Sequence, residues 1–288
     1  MARSYGPSRQ NDPPELIATI RRKKSLLCVG LDTEAQLIPE HFQAESHPVR
    51  AFNEAIVEVT HDLTVAYKLN LAFYEAMGDQ GWLDLEATIG YIRSKGDCMI
   101  IADAKRGDIG NTARKYAEAF FEVLDVDAIT LSPYMGKDSI TPFLGRKGKW
   151  AIALGVTSNP GAEDVQFLKL ENGGTLYEHV IQQMTAWGSA EELMLVVGAT
   201  RPEVLGQVRR LAPDHFLLVP GVGAQGGDLG AVLDAGMTRD GGLLINSSRG
   251  ILYAAKGQDA IPAARVAARG LQSTMALALL EKGVTDPA

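Results

Sequence analysis

The sequence predicts a (β/α)8 barrel of the TIM type, folded as one domain over residues 1–288. Three observations predict it. Eight short apolar segments recur along the chain, each closed by polar or glycine-rich residues. They are nearly continuous in apolar residues rather than alternating, which is the pattern of parallel strands covered on both faces. Stretches of helical period stand between them, and no long linker, low-complexity tract or fixed-period repeat divides the chain. A doubly wound sheet is the alternative arrangement of the same elements.

The strand candidates, in order, are SLLCVGLD (25–32), VAYKLNLAFYE (65–75), CMIIADAKRGD (98–108) and AITLSP (128–133), then WAIALGVTS (150–158), LMLVVGAT (193–200), FLLVPGVG (216–223) and GLLINSSRG (242–250). Apolar residues at helical spacing mark 52–66, 111–124, 175–187, 201–212 and 261–283 as helices. Asn111 or Thr112 is expected to cap the second of these. Thr200 is expected to cap the fourth, with Pro202 at its first position. Residues 1–14 and 284–288 read as loose ends.

The net charge of −7 argues against a nucleic-acid-binding surface, so positive charge for an anionic ligand must be local. No apolar run is long enough to span a bilayer, and the N-terminal stretch has no apolar core of a secretory signal. Cys28 and Cys98 lie in or beside apolar runs without CxxC spacing, as reduced core residues of a cytoplasmic protein do.

The chain is organised around MIIADAKRGDIGNT (99–112), where an apolar run delivers Asp103, Lys105, Arg106 and Asp108. In an extended strand, side chains two apart share a face, so Asp103 and Lys105 point the same way. Taken alone the stretch also reads as a solvated loop. A barrel gathers its site at the C-terminal ends of its strands. Those ends carry Asp32, Lys68 with Asn70, Asp103 with Lys105, Ser158, Thr200, Gln225 and Ser247-Ser248-Arg249. Each alone is an ordinary turn residue; together they place ionisable groups at one end of the fold.

Gly221, Gly223 and Gly226 match GxGxxG, but the following strand ends in Ser and Arg rather than an acid, so the dinucleotide reading fails. Glycines there expose backbone N–H groups to an anion, and barrels bind phosphate with the loops after strands seven and eight. Arg249 supplies the charged fork and Gln225 a further donor. The five histidines are scattered, with no HExxH and no i, i+4 pair, and GxSxG is absent. No metal site is expected.

With these residues in view, the chain resembles the orotidine 5′-phosphate decarboxylase family, and within it the long bacterial form. The family signature DxKxxDI reads Asp103-Ala-Lys105-Arg-Gly-Asp108-Ile109, followed in order by SNPGAE, PGVGAQGGD and the Arg249 segment. The resemblance implies decarboxylation of orotidine 5′-phosphate to uridine 5′-monophosphate, in pyrimidine nucleotide synthesis and without a cofactor. Asp32 and Lys68 would bind the ribose. Lys68, Asp103, Lys105 and Asp108 would form an alternating charge array, with Lys105 delivering a proton to carbon 6 of the pyrimidine. Ser158 would contact the pyrimidine, Pro220 would line its pocket, and Gln225 and Arg249 would hold the phosphate. The family's dimers imply a homodimer in which Asp108, Ile109 and Thr112 enter the partner's site. One departure is visible: Ser248-Arg249 stands where some relatives have Gly-Arg. Two competing readings remain, a metal-dependent phosphosugar barrel (sugar-acid phosphate decarboxylase or aldolase-like synthase) and a catalytically silent barrel.

Overall fold

The computed structural model describes residues 12–171, 173–222 and 227–286. Eight strands close in sequence order into a barrel: β1 Leu27–Gly30, β2 Ala66–Asn70, β3 Met99–Arg106, β4 Ala128–Leu131, β5 Trp150–Val156, β6 Leu193–Val197, β7 Leu217–Pro220 and β8 Leu243–Ser247. Every neighbouring pair is parallel, including β1 with β8. All eight expected strands are present, and the (β/α)8 class stands. Closure leaves no unpaired edge and buries the strands on both faces, hence their unbroken apolar runs.

The helices are α1 Pro13–Lys23, α2 Glu40–Gln43, α3 Pro48–Thr60, α4 Leu71–Glu75, α5 Asp79–Lys95 and α6 Gly110–Glu118, then α7 Leu176–Trp187, α8 Pro202–Leu211, α9 Leu229–Gly236, α10 Arg249–Leu252 and α11 Ala260–Glu281. Several expectations need correction. The second strand stops at Asn70, where the Asn70 side chain accepts the N–H of Ala72 and caps α4, so 71–75 is helix. α6 begins at Gly110 behind Ile109, which makes no side-chain cap bond; Asn111 and Thr112 lie inside the helix. Its expected last turn is a π turn over Ala119–Val123. α8 follows Arg201, again without a side-chain cap, so Thr200 does not cap it, although Pro202 does open it. The expected lead-in ends two residues early, because Asp12 caps a helix starting at Pro13. At the other end Val284 and Thr285 are buried rather than loose.

At the N-terminal end of the barrel one side chain ties several backbone ends. Arg209 of α8 donates to the carbonyls of Gly236 (2.8 Å), Ala212 (2.9 Å), His215 (2.6 Å) and Gly242 (2.8 Å). These carbonyls stand just past α8, at the end of α9 and in the chain entering β7 and β8, and the Gly242 carbonyl also accepts the N–H of Leu217 at 3.0 Å. Burial pulls the guanidinium down to about 10, still charged at neutral pH. Arg209→Met is expected to cost roughly 2–4 kcal/mol, from carbonyls left unpaired away from water. Urea unfolding measures this, and a loss within experimental error would show that water replaces the donors.

Among the described residues no helix is long and apolar enough to cross a membrane. Cys28 and Cys98 are buried, and burial pushes the Cys28 thiol up to about 12.

Candidate active site

The C-terminal ends of the strands surround a cleft of about 350 Å3. Asp32 follows β1, Lys68 comes from β2, Asp103 and Lys105 from β3, and Arg249 opens α10 after β8; all five line it. The side chains of the first four alternate in charge and touch in sequence. Lys68 Nζ lies 3.3 Å from Asp32 Oδ1 and 2.9 Å from Asp103 Oδ2, and Lys105 Nζ lies 2.6 Å from Asp103 Oδ1. The register explains the approach: Gly30 is level with Lys68, and Asn70 with Asp103, so neighbouring strands present these residues at adjoining heights.

Burial works against the charge on Lys68, but the carboxylates of Asp32 and Asp103 outweigh it and raise the ammonium above the ordinary lysine range. Burial likewise opposes the Asp103 carboxylate, and Lys68 and Lys105 hold it well below the usual range. The signs are opposite in pH. The Asp103 contribution to stability is present above about pH 4 and is lost in acid; the Lys68 contribution is present below about pH 10 and is lost in base. Both are in force at neutral pH. The Lys105 side chain is half exposed, with its stem reaching out of the sheet and its ammonium at the buried carboxylate.

The simple alternation expected for Asp103 and Lys105 breaks at Lys105. Its φ is +46°, in the left-handed region, which costs a residue with a side chain on the order of 1–3 kcal/mol. The β3–β4 register slips there too: Ala102 faces Ile129, and the next pair is Arg106 with Leu131. This is a bulge, which re-aims a side chain at the end of a strand. Thr130 of β4 accepts the N–H of Lys105 (2.9 Å) and donates to Asp103 Oδ1 (2.9 Å).

Ser248 gives the sequence departure a physical meaning. Its hydroxyl donates to Asp32 Oδ2 at 2.7 Å, and Asn246 Nδ2 lies 3.4 Å behind it. Gly30 is what admits it, because a Cβ on Gly30 would stand 1.9 Å from Ser248 Oγ. Ser248 therefore braces the carboxylate that pairs with Lys68. Residue-by-residue reading missed Thr130 and Asn246; the strand-end rule, applied at β4 and β8, would have flagged both.

The other expected residues fall in different places. Pro220 lines the cleft, and Val222 bridges to Gly227 at the base of the glycine-rich loop. Gln225 lies outside the described residues. Ser158, after β5, is half-buried against Gly198, where a Cβ would stand 2.8 Å from its own, and it is not among the cleft-lining residues. Asp108, Ile109 and Thr112 also stand outside the cleft of their own chain. Ile109 is 50% exposed, Thr112 is exposed, and Asp108 Oδ1 accepts the N–H of Ile109 at 2.8 Å. Among the described residues, no ion pair joins Asp108 to the array.

The family model of orotidine 5′-phosphate decarboxylase / HUMPS matches residues 25–264, a span that includes every expected site residue. The chain belongs to that family. The orotidine 5′-phosphate decarboxylase of Bacteroides fragilis (strain YCH46) is 52% identical over 262 residues, covering 91% of this chain and 96% of its own. Among solved structures, Leishmania donovani OMP decarboxylase is 38% identical with a TM-score of 0.77, over 92% of this chain and 99% of that one. Leishmania donovani UMP synthase is 40% identical with a TM-score of 0.76, but the match spans 89% of this chain and only 56% of that longer one. Further relatives at 50–52% identity over 91% of this chain are likewise orotidine 5′-phosphate decarboxylases.

Proposed function

We propose that this chain is a carboxy-lyase that converts orotidine 5′-phosphate to uridine 5′-monophosphate, with Lys105 protonating carbon 6 of the pyrimidine. The observation that carries the reading is the contact chain Asp32–Lys68–Asp103–Lys105 in one cleft with Arg249. Loss of carbon dioxide leaves an electron pair on a ring carbon that has no good electron sink. A fixed ammonium stabilises that pair as it develops and then donates a proton to it, which closes the balance: one C–C and one N–H bond break, one C–H bond forms, carbon dioxide leaves, and the amine regains its proton from water. Asp103 holds the Lys105 ammonium in place. Asp103 also puts negative charge near the departing carboxylate, but we assign the larger effect to stabilisation of the carbanion, because fixed charges act most strongly on charge that appears during the reaction.

The remaining roles follow the same logic. Asp32 and Lys68 hold the ribose hydroxyls, Ser158 meets the pyrimidine, and Pro220 walls its pocket. Arg249, with Gln225, holds the phosphate, whose binding energy is available to lower the barrier at the distant ring carbon. The chain works as one barrel domain and as a homodimer. Ile109 (50% exposed) adjoins Asp108 and Met135 (48%) lies against Gly107, so exposed apolar surface stands beside Asp108, which supports an interface there. A cytoplasmic setting belongs to the same reading.

Side chains alone supply this chemistry, and that separates it from a metal-dependent phosphosugar barrel. The two oxygens of Asp103 already hold two ammonium groups, and a divalent cation bound there would have to displace one of them. Purified protein is expected to convert orotidine 5′-phosphate, followed by loss of substrate absorbance, at an unchanged rate with EDTA present. No turnover would overturn the reading. Turnover abolished by EDTA and restored by a divalent metal would favour the alternative.

A further inference from the structure

Thr130, the next-to-last residue of β4, is almost fully buried, and none of the roles assigned above uses it. Its hydroxyl does two things at once. The O–H donates to Asp103 Oδ1 at 2.9 Å, and the oxygen accepts the backbone N–H of Lys105 at 2.9 Å. Asp103 Oδ1 is also the atom that holds the Lys105 ammonium, at 2.6 Å. One hydroxyl therefore restrains both ends of the lysine, the main chain directly and the ammonium through the carboxylate. In a regular parallel ladder the N–H of a strand residue finds a carbonyl on its neighbour. The bulge between Ala102 and Arg106 interrupts that ladder, and Thr130 Oγ1 accepts the N–H there instead. It does so at a residue whose left-handed backbone needs outside support to persist.

The geometry points to Thr130 as a positioning residue that sets the placement of the Lys105 ammonium and hence the rate of proton delivery. The inference rests on the decarboxylase reading, which it deepens. A threonine hydroxyl has one proton to donate and lone pairs to accept with, and both functions are committed here. Valine has nearly the same shape and offers neither. Serine keeps both.

The test compares Thr130→Val with Thr130→Ser. The valine variant is expected to lose roughly 10- to 100-fold in kcat with KM changed by less than about twofold, because a small misplacement of a reacting group slows the step without weakening binding. The serine variant should retain most of the rate. An independent readout needs no substrate: the backbone amide of Lys105 should exchange with solvent slowly in the wild type and in the serine variant, and faster in the valine variant, by NMR. Unchanged kcat in Thr130→Val, equal loss in Val and Ser, or unchanged amide exchange would each overturn the inference. If the valine variant does not fold, Thr130→Ala takes its place against serine with the same expectations. The wild type is assayed first. Its failure to turn over orotidine 5′-phosphate sinks the decarboxylase reading, whereas the amide measurement still decides whether Thr130 holds Lys105.

Discussion

Lys105→Ala is expected to lower kcat/KM for orotidine 5′-phosphate by at least about 10⁴-fold while the protein stays folded. The size follows from two separable effects. A unit charge about 4 Å from a developing carbanion, at an effective dielectric near 20, is worth roughly 4 kcal/mol, or about a thousandfold. A placed proton donor contributes roughly another 10²–10⁴-fold. Alanine removes both. The fold should survive, because the Lys105 side chain is half exposed, and Asp103 keeps its contacts to Lys68 (2.9 Å) and Thr130 (2.9 Å). Lys68 offers no such clean test. It is buried between Asp32 and Asp103, and breaking a buried pair typically costs about 3–5 kcal/mol in stability alone. Circular dichroism and a retained affinity for uridine 5′-monophosphate check the Lys105 variant. Turnover within tenfold of the wild type would mean that another group supplies the proton.

The sequence carried much of this site because barrels spend their strand ends on function. Asp32, Lys68, Asp103, Lys105 and Arg249 were readable as polar residues closing apolar runs, and they share one cleft. The left-handed turn at Lys105 was not readable, since neither the bulge in β3 nor the hydroxyl across it on β4 leaves a periodic signal. Ser248 stood out as a departure but not for its purpose, because its partner Asp32 is distant in sequence and meets it only when β1 and β8 close the barrel. α5 escaped because polar Asp84 and Thr88 share its buried face with Leu85, Ile89 and Ile92 and dilute the apolar stripe. Asn70 was visible as a strand-end residue, yet its work as a helix cap, which turned the rest of that apolar run into α4, depends on local bonding that period alone does not specify.

Mixing two inactive variants, Lys105→Ala and Asp108→Ala, is expected to restore activity once their subunits exchange. The placement of Asp108 motivates it. The motif sets Asp108 three residues past Lys105, but it lies outside its own chain's cleft, beside exposed Ile109 and in a segment that meets exposed Met135 at Gly107. Gly107 keeps that segment close to β4's loop, since a Cβ on it would stand 3.3 Å from that of Ser132 and 3.8 Å from Met135 Cε. A two-fold interface over this surface would carry Asp108 of each protomer toward the other's lysine. Each variant alone should then be dead in both sites. In a hybrid dimer one site lacks both groups, and the other has its own Lys105 and the partner's intact carboxylate. Equal mixing makes half the dimers hybrids, so about a quarter of all sites, and about a quarter of wild-type activity, should return. A carboxylate acting within its own chain predicts no recovery at any ratio. Native mass spectrometry of the mixture shows whether exchange has occurred, so a silent mixture containing hybrids would assign Asp108 to its own chain.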